Sequence, residues 1–438
     1  MTVHNHRTVR TALLLTGAAM LAGCGLSSPE DDEPGAAEPE TGAAIEGTIT
    51  FQTMQLSPTF DDYINGVIAD FEEANPGTTV EWVDIPSEAA SRKVSADAVA
   101  GTLPDVMDLD TATLAPLGRD GRVLDMAEAA PELEGQFVAS AWASFDFGAT
   151  TVAALPWYLN TPVLYANTSL LDEAGLAGER APAGYEDLFR HAEVIAEETG
   201  KAGFQPTAIG LPHALLTEGV PLVNDDATAA VVNTPEAVAF VQRLADLYEI
   251  GGIPADSVTA KQRSEIETFQ EGSIAYLESG PSRVRIIEEN APDLIPSVSI
   301  EKPLGDGSST TWIVAHGIAV PTTTENRATA MAFAEYLTSP ESQLDFAKQS
   351  SIFPSTSESL VDPLFTAEPT DLTTEARAVA GASLLEDKTL AKPAAVDSEY
   401  ATELWSHVQL AILGERTPED ALAEAETALT AILEKRSA

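Results

Sequence analysis

The sequence predicts an α/β protein of two lobes, each a mainly parallel sheet flanked by helices. Two observations carry this. Past residue 45, strand-like and helix-like stretches alternate as β-α-β-α-β over some sixty residues, the pattern of a parallel sheet with helices on both faces. Roughly 390 residues then remain for folding, more than one ordinary core organises. Hydrophobic content is an ordinary 44%, and no later stretch reaches the about 20 apolar residues that a membrane-spanning helix needs.

The first 44 residues stand apart. Arg7 and Arg10 precede the apolar run LLLTGAAMLAG, which ends at Cys24, the one cysteine of 438 residues. A basic region, a short apolar core and small residues at Ala22 and Gly23 make residues 1–23 a secretory signal peptide. Leu21-Ala22-Gly23-Cys24 resembles the lipobox of bacterial lipoproteins, which implies cleavage before Cys24 and lipidation of its thiol. A lone cysteine has no partner for an internal disulfide, and the two or more chains of a lipoprotein anchor suffice for stable attachment. Residues 24–44 are rich in Glu, Asp, Pro, Gly, Ala and Ser and lack aromatics. They read as a disordered tether behind the lipid.

The elements follow in order. IEGTITFQTM, from Ile45, is a first strand of alternating β-formers. FDDYINGVIADFEEANPG, from Phe60, places apolar residues at 60, 64, 67, 68 and 71, which is helical spacing; Asn75-Pro76-Gly77 ends it. TTVEWVDIP is a second strand. SEAASRKVSADAVAGTLPD is a helix, with Ser87 as its expected N-cap and Gly101 as its stop. Val106 to Leu109 is a third strand. Ligands of such sheets lie beyond the carboxyl ends of the strands, so the loops after Thr53, Asp84 and Asp108 matter most. Further on, helices are expected at Tyr185–Thr199, Pro235–Glu249 and Arg263–Gln270, and strands at SIAYLE and PSVSI. A strand follows in TTWIVAHGIAVP, then helix, break and helix in RATAMAFAEYLTSPESQLDFAKQSS. The chain from about Glu399 onward is helical.

Six stretches, in order, resemble one family: the extracellular solute-binding proteins of ABC importers, in the branch that mostly binds sugars. They are FEEANPGTTVEW, GTLPDVMDLD, LAPLGRDGRVLD, LPWYLNTPVLYANTSLLDEAGL, FQEGSIAYLESGPS and NRATAMAFAEYLTSPESQLDFAKQSSIFPS, and they span nearly the whole chain after the tether. The resemblance implies a two-lobed periplasmic-binding-protein-like fold of type II, closing about a hinge over a ligand in the cleft. The chain would leave the first lobe near Trp157 and cross back near residues 305 and 352. This gives residues 45–157 plus 305–351 as lobe 1 and 158–304 plus 352–438 as lobe 2.

The same resemblance supplies candidate ligand residues. A sugar offers hydroxyls to amides and carboxylates, and C–H faces to flat rings. Trp157, Tyr158 and Asn160 lie at the crossover that lines the cleft in the family. Asp108 and Asp110 follow the third strand, and Asp110 or Thr111 is also the expected cap of a helix. Gln55 follows the first strand. Glu278 and Gly280 belong to the loop of the second lobe that faces the cleft. There the family's usual tryptophan after Gly-Pro is Ser282. Another ring is therefore expected to stack on the ligand, with Trp312 or Tyr400 as candidates and Trp405 read as helix packing.

Composition and motifs exclude several classes. Acidic residues number 69 against 23 basic, a net charge of −46, which repels nucleic acid and anionic lipid headgroups. No zinc-protease, nucleophile-elbow, dinucleotide or phosphate-loop signature is present, and four histidines scattered past residue 24 suggest no metal site. No cofactor and no enzymatic activity are expected. The reading is a monomeric, lipid-anchored receptor on the extracellular face of the cell membrane, or in the periplasm where an outer membrane exists. It captures a mono- or oligosaccharide and delivers it to an ABC permease. A receptor for a non-sugar such as a polyamine, and a surface glycosidase, are the alternatives.

Overall fold

Twelve strands are named here in chain order: β1 (Gly47–Met54), β2 (Thr78–Ile85), β3 (Val106–Asp110), β4 (Leu155–Asn160), β5 (Val163–Asn167), β6 (Leu222–Val223), β7 (Ala230–Val231), β8 (Tyr276–Ser279), β9 (Val298–Glu301), β10 (Thr311–Ala319), β11 (Phe353–Pro354) and β12 (Thr389–Ala391). They come from a computed structural model, which describes residues 44–148, 150–259, 263–305, 311–386 and 389–437. The signal peptide, Cys24 and the tether lie outside the described residues.

The larger sheet has the order β11-β4-β10-β3-β1-β2, with β12 beside the start of β10. β1, β2 and β3 run parallel, whereas β10 runs antiparallel to both β3 and β4. A second sheet, β8-β5-β9, is antiparallel throughout, and β6 and β7 form a short ribbon. The α/β class is as expected, but the second sheet is not mainly parallel. The physical reason is connectivity. Parallel neighbours need a helical crossover from one end of the sheet to the other. Here β8 and β9 enter from the opposite end, after long helical excursions. β4 stays in the larger sheet as far as Asn160, and β11 joins it, so only Thr161 and Pro162 separate the strand that ends one sheet from the strand that starts the other.

The first helix occupies Asp61–Ala74 and buries Tyr63, Ile64, Val67, Ile68 and Phe71, the expected face. The second occupies Ser87–Ala100, with Gly101 in the left-handed conformation that stops it. Ser87 is the first helical residue rather than the cap; Pro86 precedes it and no side chain caps the end. The helix Tyr185–Thr199 has the expected bounds, closed by Gly200 at φ +68°.

Within Ala43–Ala438, buried side chains fall into two cores. In the first, Phe51 and Phe71 meet Phe333 edge-on at 5.2 and 5.0 Å, and Trp157 stacks on Phe346 at 5.2 Å. In the second, the helices Tyr185–Thr199, Pro235–Ile250, Ser398–Ile412 and Pro418–Ser437 pack through Leu188, Phe240, Leu404 and Leu429. β5 contributes to both. Val163 and Tyr165 point into the first core, Leu164 and Ala166 into the second.

A buried polar knot ties the crossing strands. The Gln343 amide donates to the carbonyl oxygens of Thr338 (2.8 Å) and Pro156 (3.3 Å), and its oxygen accepts from the Ser355 backbone N–H (2.6 Å). Ser355 Oγ donates to Pro156 O at 2.8 Å. Nearby, β10 bulges between His316 and Gly317. A Cβ at Gly317 would lie 2.6 Å from Phe145 and 2.8 Å from Ala154, so only glycine fits.

Two expected ligand residues are in fact core. Trp157 is 0% exposed, enclosed by Phe51, Tyr158 and Phe346. Tyr400 is also 0% exposed and donates its hydroxyl to Leu222 O at 2.7 Å, inside the second core. The resemblance sets Trp157 at the crossover and leaves Tyr400 as a ring to replace the tryptophan absent at Ser282, but in the fold both side chains turn inward. Trp157→Ala should destabilise the fold by about 3–5 kcal/mol, the usual cost of emptying a large aromatic site, measurable by urea unfolding.

Candidate functional site

β1, β2, β3 and β4 all end at one edge of the larger sheet, and antiparallel β10 begins there. Gln55, Asp84 and Asp110 stand at this edge, and Asn160 on β4 and Trp312 on β10 lie two and four residues beyond it. It is the position where ligands bind in open α/β sheets.

A cavity of about 680 Å³ opens beside it. Asn160, Thr161, Trp312 and Val314 form one wall, from the strands that cross between the sheets. Thr207, Ile209, His213, Arg263, Glu265, Glu278, Ser279, Gly280 and Arg283 form the other. Of the expected residues, Asn160, Glu278, Gly280 and Trp312 thus come together.

Trp312 is held from two sides. Its ring stacks on His213 at 4.3 Å and 16°. Its side chain also donates a hydrogen bond to the Glu278 carboxylate, which accepts from the Leu304 backbone N–H at 3.0 Å as well. Burial pushes Glu278 up to about 7, only partly offset by those two donors. Burial, assisted by the charge of Lys392, pulls His213 down to about 3, so Trp312 stacks on a neutral imidazole.

The other expected residues sit around this cavity without lining it. Asp108 is 0% exposed and accepts from His316 Nδ1 at 3.0 Å, so it serves the sheet rather than a ligand. Burial opposes charge on His316, but the charge and hydrogen bond of Asp108, with the charge of Asp110, outweigh it and raise the imidazole above its ordinary value. Tyr158 is buried against it, rings 4.5 Å apart. Asp110 accepts from Thr113 N at 2.7 Å as the cap of the helix Thr111–Arg119. Ser282 lines a separate cavity of about 230 Å³ with Pro281, Arg285, Phe353 and Arg377, not the one bearing Trp312.

Gln55 lines a neighbouring cup of about 510 Å³ with Ser57, Trp82, Asp84 and Pro86. Asp84 opens one of the loops that the sheet pattern marks, whereas Trp82 is not among the expected site residues. The alternation in TTVEWVDI was the signal, since it puts Val80, Trp82 and Asp84 on one face. His213, Glu265, Arg263 and Arg283 were missed too, and no local pattern marks them. Arg263 pairs with Asp256 at 2.7 Å and with Glu271, and Arg283 donates to Ser279 Oγ at 3.2 Å. Among the described residues, no group of three His, Cys, Asp or Glu could hold a metal ion, and no helix is long and apolar enough to cross a membrane.

Residues 66–374 match the family model described as bacterial extracellular solute-binding protein. The chain belongs to this family. Its members are binding proteins, not enzymes. The solute-binding protein is 23% identical to a binding protein of Brucella abortus (strain 2308), over 90% of this chain and 95% of that one. It is 28% identical to a periplasmic-binding protein of Synechococcus sp. MITs9220 assigned to oligosaccharides; the match covers 89% of this chain and 99% of that one, with a TM-score of 0.78. An ABC substrate-binding protein of Listeria monocytogenes, solved with cycloalternan, shares the fold at 19% identity and a TM-score of 0.66, over 89% of this chain and 99% of that one. The fold of the solute-binding protein is therefore the two-domain periplasmic-binding one.

Glu278 gives a pH test of the site. Its carboxyl is raised in the fold, so its neutral form is favoured there. Stability is fully present below about pH 4.5 and is lost as pH rises through about 7. The swing is on the order of 3 kcal/mol. Glu278→Gln should flatten this part of the melting profile, measured between pH 4.5 and 8.

Proposed function

We propose that this solute-binding protein is the carbohydrate receptor of an ABC importer. The observation that carries the reading is the grouping of one indole, Trp312, with a carboxylate, Glu278, and an amide, Asn160, on a cavity of about 680 Å³. An indole face takes the C–H side of a pyranose, and the carboxylate and amide take its hydroxyls. The oligosaccharide assignment of the Synechococcus protein supports it. A polyamine fits the overall acidity, but not this cavity, whose lining carries Arg263 and Arg283 beside Glu265 and Glu278.

In this reading the larger sheet with its helices is one lobe, the β5 sheet and the C-terminal helices are the other, and Thr161–Pro162 lies in the hinge. Sugar binding favours the closed state, and a membrane permease powered by a separate ATPase takes the sugar from it. Cys24 carries the lipid that keeps the monomeric receptor at the membrane, on the extracellular face or in the periplasm.

A carbohydrate present at about 100 times its Kd should stabilise the protein by about 2.7 kcal/mol, read as a rise in melting temperature with no hydrolysed product on chromatography. Trp312→Ala should weaken binding tenfold or more by calorimetry. If no carbohydrate raises the melting temperature, the reading is wrong. Cys24→Ser should abolish incorporation of an alkynyl fatty acid and release the full chain from the membrane fraction.

A further inference from the structure

A smaller cavity, of about 90 Å³, lies within the second core and adjoins the Trp312 cavity. Thr207, Gly210, Glu265 and Glu278 line both. The helix Gly210–Thr217 serves the two at once: His213 stacks on Trp312 in the outer cavity, whereas Leu211 and Ala214 line the inner chamber. Leu188, Phe240 and Leu244 continue that inner wall. Water held there would need two to four polar partners per molecule, which leucine and phenylalanine do not give.

Tyr185 is the polar group deep in this lining. Its ring lies edge-on to Phe240 at 5.3 Å, and the residue is 8% exposed. No group among the described residues hydrogen-bonds to its hydroxyl. Burial, then the charges of Glu278 and Glu218, hold the phenol well above its ordinary value, so it remains a donor. A buried donor without an acceptor is costly, and native structures rarely leave one. Glu278, at the boundary of the two cavities, accepts from Leu304 and Trp312. A carboxylate has about four acceptor sites, so it can take a further N–H.

Size decides what enters. At about 30 Å³ per water, and against the about 150 Å³ of a cavity that admits benzene, the chamber takes about three or four non-hydrogen atoms. A sugar ring is too large for it. Its occupant is therefore a substituent of a ligand held in the outer cavity. That substituent needs an apolar tip, an acceptor for Tyr185 and a donor for Glu278, which is the make-up of an acylamino group. Resting on the carbohydrate reading above, we propose that the ligand is an N-acetylated amino sugar whose acetyl group enters this chamber. The carbonyl oxygen accepts from Tyr185, the amide N–H donates to Glu278, and the methyl packs among Leu188, Leu211 and Phe240.

The test is calorimetry with matched pairs: glucose and N-acetylglucosamine, galactose and N-acetylgalactosamine, cellobiose and N,N′-diacetylchitobiose. In a pair that binds, the acetylated member should bind at least tenfold tighter. An N-hexanoyl group, too long for the chamber, should cancel that gain. Tyr185→Phe, which keeps the ring and removes the hydroxyl, should reduce the ratio of acetylated to plain affinity at least threefold. Ala214→Val, which narrows the chamber, should bring the ratio to about one, and it serves as the second variant if Tyr185→Phe does not fold. A ratio near one in the unaltered protein, or an unchanged ratio in the variants, overturns the acetyl proposal while leaving a carbohydrate receptor. Binding confined to sugars without an acyl group does the same. Absence of binding by every carbohydrate overturns both.

Discussion

The insertion of β10 between β3 and β4 is the constraint on which the architecture rests. It enters antiparallel, so its first residues stand beyond the edge where β1 to β4 end. That is what carries Trp312 out of the larger sheet toward Glu278 and His213. The strand must pass close under Phe145 and Ala154, and it does so only because Gly317 has no side chain. Sheet pairing, a single glycine and the position of the cavity ring are thus one connected fact.

The electrostatics separate surface from site. A net charge of −46 surrounds the molecule, yet the cavity holds arginine and glutamate in balance and a carboxyl that burial inclines toward neutrality. Neutral, hydroxyl-rich ligands suit such a lining, because no excess charge has to be stripped of water. The indole at its centre is fixed by a stacked neutral imidazole and by a carboxylate, so little freedom remains to be lost when a ligand arrives.

Local patterns in the sequence were enough for β1, β2, β3 and β10 and for most of the longer helices, but not for β4, β11 or β12. The 3.6-residue spacing of Ile64, Val67, Ile68 and Phe71 fixes one helix face, and Gly101 and Gly200 end two others. The ordered landmarks from FEEANPG to FPS point to the family. The site was half legible. Asn160, Glu278, Gly280 and Trp312 sit in segments whose order marks them. Trp157 and Tyr400 could not be told from cleft rings, because burial of an aromatic depends on which face the strand or helix turns inward. Trp82 is the reverse case. One strand pattern contains it, but only β2 at the edge of the sheet leaves its ring accessible. The direction of β8 and β9 depends on long-range connectivity that no window of sequence contains.

The polypeptide's threading also governs when the larger sheet can form. β1 to β4 are complete by residue 160, but their central partner is residues 311–319 and the closing strand is residues 353–354. During synthesis the early strands wait with a gap in their middle until most of the chain has emerged. Contacts so distant in sequence slow folding. A nascent chain of this kind stays pliable until residues 311–319 and 353–354 are made, because before then the sheet has no central strand to close on.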